Sequence, residues 1–348
     1  MDLFSAIVAA TDQHPHIRTA MLPAHAPSRN VVSAWAKGFP DRDGKFVKEF
    51  QTTFNSSFWE IYLYAVFCEY GFSFDWTHAA PDFSLEHKGQ GFCVEAVTAN
   101  AAVGKPKEWE RPLDLESYVP TDLDALNREA MVRLANAING KHRKYLASYS
   151  NKPHVSGKPF VIAVAPFEQP AFNLQYDRPI KAVLYDHYVD EAAYQKDREA
   201  YPKGPPIRQL GFVTKENGAD IELGLFTDDR LSHISAVLFS CTATWGKVDA
   251  MSQQTEDRQT LVSSVWGSKP DGRPEIRRGR PDEIGERIED GLQIYHNPFA
   301  KHPLNLELFR RQGVVQNYFE AGTRRWTVEG LIGSLFCRSV LTMLVEDD

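Results

Sequence analysis

Cysteine is scarce. The chain has four in 348 residues, Cys68, Cys93, Cys241 and Cys337, with no CxxC pair. That spacing excludes a zinc ribbon or a disulfide framework and suits reduced, mostly buried thiols. Positive charge is also in deficit, with 39 Lys and Arg against 46 Asp and Glu and a formal net charge of −7. Such a balance excludes coating nucleic acid by bulk charge, although a local basic patch remains compatible with it. No apolar run approaches the roughly 20 residues of a membrane span. The opening, MDLFSAIVAATDQHPH, is acidic early and only briefly apolar, unlike a secretory leader. The expectation is a soluble, cytoplasmic protein with no membrane partner. Internal repeats, low-complexity segments, Gly-rich phosphate loops, nucleophile elbows and dinucleotide fingerprints are all missing.

What is present is a 43% apolar chain, enough for a substantial core. No linker divides it, so it reads as a single elaborated domain over 1–348, with a core at about 45–170 and an elaboration at about 171–348. Proline-broken amphipathic pieces before residue 44 are expected to wrap the body. A long aromatic helix is expected from about Lys48 to Tyr70, closed by Gly71. FSFDW (72–76) reads as a strand, and alternation on either side of Lys88-Gly89-Gln90-Gly91 signals a hairpin. Trp109 to Pro120 reads as a proline-bounded loop. Thr121 or Asp122 should cap a second long helix with Leu123, Leu126, Ala130, Leu134 and Ile138 at helical intervals. KPFVIAVAP suits a buried central strand. In the second half, 234–245 reads as another strand, SKPDGRPEIRRGRPDEIGER as a polar loop, and the portion from Leu304 as helical in parts.

Three carboxylates stand in apolar surroundings. Glu60 lies inside SSFWEIYLYAVF, where spacing of three and four residues brings Leu63 and Tyr64 rather than solvent. Asp82 follows Pro81 at the start of one hairpin strand. Glu95 sits in the middle of its partner, with Phe92, Val94 and Ala96 on one face and Cys93 and Val97 on the other. An unpaired carboxylate there either gives up its charge or faces a cation. A divalent cation with oxygen ligands, Mg²⁺ or Mn²⁺, would offset three of them. Taken singly, Glu60 suits a rim position hydrogen-bonded to a tyrosine or backbone amide equally well, and Asp82 suits a strand entry.

The order α-β-β-β-α-β over roughly Lys48 to Pro166, with Glu on the first helix, Pro-Asp opening one strand and Glu on the next, resembles the PD-(D/E)XK nuclease superfamily. The resemblance implies an α/β, restriction-endonuclease-like αβββαβ core with a mixed sheet flanked by helices. It also implies Mg²⁺ or Mn²⁺ held by Asp82 and Glu95, with Glu60 assisting. The family's motif lysine falls on Val97 and is missing. Lys141 or Lys144 on the following helix would replace it, and Lys141-x-x-x-Tyr145 resembles the Gln-x-x-x-Tyr motif of one exonuclease-related branch. By default, lysines at a helix end are solvated charges that complement the dipole.

These implications amount to a metal-dependent nuclease acting on nucleic acid, DNA in preference to RNA, in a restriction, repair or anti-phage setting. A homodimer or partner subunit is compatible with it. The alternative is a lapsed nuclease fold serving as a nucleic-acid-binding or scaffolding module, with Val97 as its support. Arg277, Arg278 and Arg280 form a basic run suited to gripping a phosphate backbone, and Tyr145 joins them as a contact. His296 and His302 read as parts of a structured turn, and His14 and His16 as surface residues.

Overall fold

The computed structural model describes residues 1–110, 122–268, 273–320 and 322–344. Four helices, α1 (Pro15–Ala20), α2 (Ala26–Trp35), α3 (Phe46–Thr52) and α4 (Asn55–Glu69), lead into strands β1 (Ser73–Phe74), β2 (Phe83–His87) and β3 (Gln90–Thr98). Helix α5 (Leu123–Lys144) and strand β4 (Phe160–Ala165) follow. From α4 onward these elements give the expected succession of helix, three strands, helix and strand.

Local chemistry explains where the details depart from expectation. The single helix expected over 48–70 is broken between α3 and α4. There the hydroxyls of Thr52 and Thr53 bond back to the carbonyls of Lys48 and Glu49 and compete with the helical ladder. FSFDW contributes only two paired residues, because the Asp75 carboxylate accepts from the amide and hydroxyl of Thr77 and turns the chain. The hairpin reverses at Lys88 and Gly89, both at positive φ (51° and 77°), as a tight two-residue turn requires. Asp122 caps α5, its Oδ1 accepting from the amide of Ala125 at 2.9 Å. The expected loop at 109–120 and the alternative cap Thr121 lie almost wholly outside the described residues.

The second half continues the same architecture. After α6 (Arg178–Tyr185), two small ladders form, β5 (Tyr188–Val189) with β6 (Ile207–Arg208) and β7 (Phe212–Thr214) with β8 (Asp220–Glu222), and α7 (Glu191–Lys196) lies between β5 and β6 in sequence. Strand β9 (Ala236–Phe239) and helix α8 (Trp245–Ala250) precede β10 (Arg258–Gly267), β11 (Pro274–Gly279), helix α9 (Pro281–Ile284) and β12 (Gln293–His296). Strands β13 (Val315–Glu320), β14 (Arg325–Glu329) and β15 (Leu335–Leu344) complete the described chain. An eight-stranded mixed sheet runs β1-β2-β3-β4-β9-β12-β13-β14, and a smaller sheet runs β11-β10-β15. Strands β3, β4 and β9 are parallel, whereas β1–β3 form an antiparallel meander.

Three readings of this half are corrected. The expected strand 234–245 ends at Phe239, because the Ser240 hydroxyl accepts from the amides of Thr242 and Ala243 and folds a turn before α8. The expected polar loop around residues 273–284 is strand β11 followed by helix α9. Arg277 and Arg278 occupy a ladder with β10, and Arg277 lies over the Trp266 ring at 5.0 Å. From Leu304 the only helical piece described is the 3₁₀ turn Leu306–Leu308. Turns at Gly313, Gly330 and Gly333, all at positive φ, separate strands instead.

One continuous cluster of buried apolar side chains runs from Leu3 to Val314, with β4 buried throughout. The Trp59 indole donates to the carbonyl of Ala163 at 3.0 Å and locks α4 onto β4. A buried ion cluster ties the small sheet to the body. Glu286 Oε1 accepts from Lys247 Nζ at 2.6 Å and Arg338 Nη1 at 2.7 Å, and Arg338 also donates to the Thr242 carbonyl. Among the described residues, no helix is long and apolar enough to cross a membrane.

Candidate functional site

The site is built on the β2–β3 ladder. Phe83 pairs with Val94, so Asp82, one residue earlier, lies beside Glu95 one residue later on the partner strand. The register is pinned by the Ala96 amide, which donates to Asp82 Oδ2 at 2.7 Å. On its other side β3 pairs with β4, Glu95 opposite Ile162. Glu95 is therefore enclosed between two neighbouring strands and is fully buried.

Its charge is answered from helix α5. Lys141 Nζ and Lys144 Nζ both donate to Glu95 Oε1, at 2.8 and 2.7 Å. The two lysines are three residues apart and so share a helix face. Glu95 Oε2 is buried and has no partner. Burial pushes the Glu95 carboxyl upward, but the two ammonium groups outweigh it, and the net direction is down. Burial pulls Lys144 down, yet its bonds to Glu95 and Tyr149 hold it well above the usual lysine value.

Asp82 and Glu60 behave oppositely. Burial, reinforced by the neighbouring Glu95 charge, raises Asp82 to about 6. Burial, then the Asp82 charge, raises Glu60 to about 8 against the opposing pull of Arg42 and Lys141. Glu60 is half-buried on a helix whose other central residues are buried, so it reaches the edge of the apolar layer. Two cations face it there, Lys141 from α5 and Arg42 from the segment before α3. Among the described residues, no group of three or more His, Cys, Asp or Glu side chains is arranged to hold a metal ion. Beside Glu95 the positive charge comes from the two lysines.

Arg42 and Tyr149 were not legible as site residues. Arg42 lies in a proline-broken segment with no local pattern, yet its guanidinium donates to the carbonyls of His78 and Asp82 and sits 5.4 Å from the Trp76 ring centroid. Tyr149, five residues beyond Lys144, would leave the lysine face of a regular α-helix. Here α5 passes into a π-helical turn, Tyr145–Tyr149, whose wider repeat brings residues five apart into line. Lys144 Nζ accordingly lies 5.2 Å from the Tyr149 ring centroid. Tyr145, by contrast, is buried against Phe160, with ring centroids 4.7 Å apart.

The remaining candidates lie elsewhere. Arg277 pairs with Glu275 on β11 at 3.0 Å, Arg278 stands opposite Ser263, and the Arg280 amide donates to Glu283. Among the described residues, no hydrogen bond or ion pair joins these arginines to Glu60, Asp82 or Glu95. His296 is buried on β12, its Nε2 bonded to Gln316 Oε1 at 2.9 Å, and the His302 carbonyl accepts from Ser235. His14 and His16 are corrected from surface to interior. His14 is buried and His16 half-buried, because Trp109 folds back onto both rings, 4.3 Å from His14. Burial lowers them to about 3 and about 4.

Comparison of the chain with protein-family models, with curated proteins and with solved structures finds no match.

Proposed function

We propose that this chain is a divalent-metal-dependent nuclease on a restriction-endonuclease-like core, with DNA as the preferred substrate. The observation that carries the reading is the meeting of Lys141 and Lys144 at Glu95, beside Asp82. The motif lysine that Val97 replaces is thereby supplied from helix α5. Mg²⁺ or Mn²⁺ fits the chemistry of the donors. Glu95 retains an unpartnered buried oxygen, and Asp82 and Glu60 are raised by burial and then by a neighbouring carboxylate charge, which a divalent cation would offset.

In this reading Asp82 and Glu95 hold the ion, and Glu60 buffers the charge at its rim. When bound, the ion would supply an activated water and neutralise charge on the phosphate. Lys141, the more enclosed lysine with 20% side-chain exposure against 48% for Lys144, orients the water or steadies the developing phosphate charge. The lapsed alternative has its own support, since Glu95 Oε1 is satisfied by two ammonium groups without any metal.

Purified protein incubated with plasmid and single-stranded DNA, with and without Mg²⁺ or Mn²⁺, separates the two. Metal-dependent cleavage lost in both Asp82→Ala and Glu95→Ala supports the enzyme. Cleavage that survives both substitutions removes the site assignment. DNA binding without cleavage supports the lapsed module.

A further inference from the structure

The two edges of the small sheet are built differently. Along one edge, β11 reads Pro274-Glu275-Ile276-Arg277-Arg278-Gly279, a proline and three charges of the kind that guard an edge against pairing. Along the other, β15 carries Ser339-Val340-Leu341-Thr342-Met343-Leu344 with no charge and no proline. These six residues pair with β10 on one side only, Leu344 opposite Arg258 through Ser339 opposite Ser263. Among the described residues they make no other backbone hydrogen bond. Alternate N–H and C=O groups of an antiparallel edge strand point outward, so this edge offers an unused ladder. It also borders an apolar surface: Leu341 is 59% and Met343 43% exposed, and Leu261 and Ile276 are exposed on the same face of the sheet.

We propose that β15 is a homodimer interface, in which two copies pair antiparallel along this edge about a two-fold axis at Thr342 and merge their small sheets into one. The segment is complementary to itself in that register. Leu341 falls opposite the partner's Met343, Val340 opposite the partner's Leu344, and Thr342 opposite its own copy. Each of these pairs, spanning Val340 to Leu344, is therefore apolar or hydroxyl to hydroxyl, with no like charges facing. A second copy is favoured over head-to-tail growth because Ser339–Leu344 laid on β11 of another molecule would set Arg277 and Arg278 against this uncharged segment, and because an isologous pair closes on itself. The proposal does not depend on the nuclease reading.

Sedimentation velocity or light scattering of the full chain at micromolar concentration tests it. The wild type should run at twice the chain mass, Leu341→Lys as a monomer, and Leu261→Lys, on the same face but the central strand, as a dimer. An equimolar mixture of Leu341→Lys and Met343→Glu should regain the dimer mass, because the register sets the new lysine opposite the new glutamate. That mixture also guards against a misfolded single variant. A monomeric wild type overturns the proposal. Loss of the dimer in Leu261→Lys together with no rescue in the mixture overturns it in favour of face-to-face stacking.

Discussion

Lys144 Nζ lies 2.7 Å from Glu95 Oε1, and Lys141 reaches the same oxygen from one helical turn earlier. One carboxylate thus anchors the end of α5 to the middle of β3. Glu95→Gln keeps the shape but takes from the two ammonium groups the carboxylate they are hydrogen-bonded to. With both lysines partly exposed, the expected loss of stability is about 1–3 kcal/mol. Urea denaturation at pH 7 checks it, and a change within error would mean that the lysines find other partners. Cleavage by Glu95→Gln is expected at background.

Stability between pH 6.5 and 8 should report Glu60. Its folded value near 8 exceeds the ordinary 4.5, so in this range Glu60 holds more proton in the folded chain than in the unfolded chain, and its contribution to stability falls as pH rises. The lowered His14 and His16, and with them His25, His142, His187, His233 and His296, act in the opposite sense until their unfolded imidazoles are deprotonated, about a unit above 6.5. The difference between wild type and Glu60→Gln isolates Glu60 from them. Asp82 contributes in the Glu60 sense only up to about 6. Glu60→Gln should therefore remove this falling contribution and leave the variant more stable than wild type at pH 8. Denaturation midpoints at pH 6.5 and 8 for both proteins decide this, and equal slopes would refute the assignment.

Arg42 is exposed, and its long bonds to two backbone carbonyls leave other guanidinium donors for a phosphate. Arg42→Ala should change stability by less than about 0.5 kcal/mol. It should also weaken DNA binding at every sequence tested and lower the salt slope by about 1. Fluorescence anisotropy titrations across a salt series measure this. An unchanged slope would place the DNA path elsewhere.

The buried cluster of Lys247, Glu286 and Arg338 makes a stability prediction separate from the site. Glu286→Ala strands two cations that are almost fully enclosed, which costs about 3–5 kcal/mol. Because Arg338 belongs to β15, amide exchange should rise first in β10 and β15. Uniform destabilisation without local opening would show that the cluster does not act as the tie between the small sheet and the body.

The core was legible where pattern and turn chemistry agree. The Lys88–Gly89 reversal, the buried run of β4 and the acidic cap of α5 each declare themselves within a few residues. The enclosure of Glu95 followed from its apolar flanks on both strand faces. Features set by distant chain were not legible: the burial of His14 comes from Trp109, and the company of Glu60 includes Arg42. The strand Arg325-Trp326-Thr327-Val328-Glu329 alternates polar and apolar residues and was legible as a strand, but its apolar Trp326 and Val328 are exposed, and the expectation of helix from Leu304 overlooked the alternation. The π-helical turn carries no propensity signal, so sequence spacing selected Tyr145 where the fold brings Tyr149 to Lys144.

The ladder between β2 and β3 has a practical consequence. Asp82 and Glu95 are spaced by the Phe83–Val94 rung and the Ala96 amide, at the opposite end of the hairpin from Lys88 and Gly89. The tip is thus a handle mechanically remote from the acids. A dye or epitope grafted there would ride on the rigid frame and leave the spacing of the carboxylates untouched.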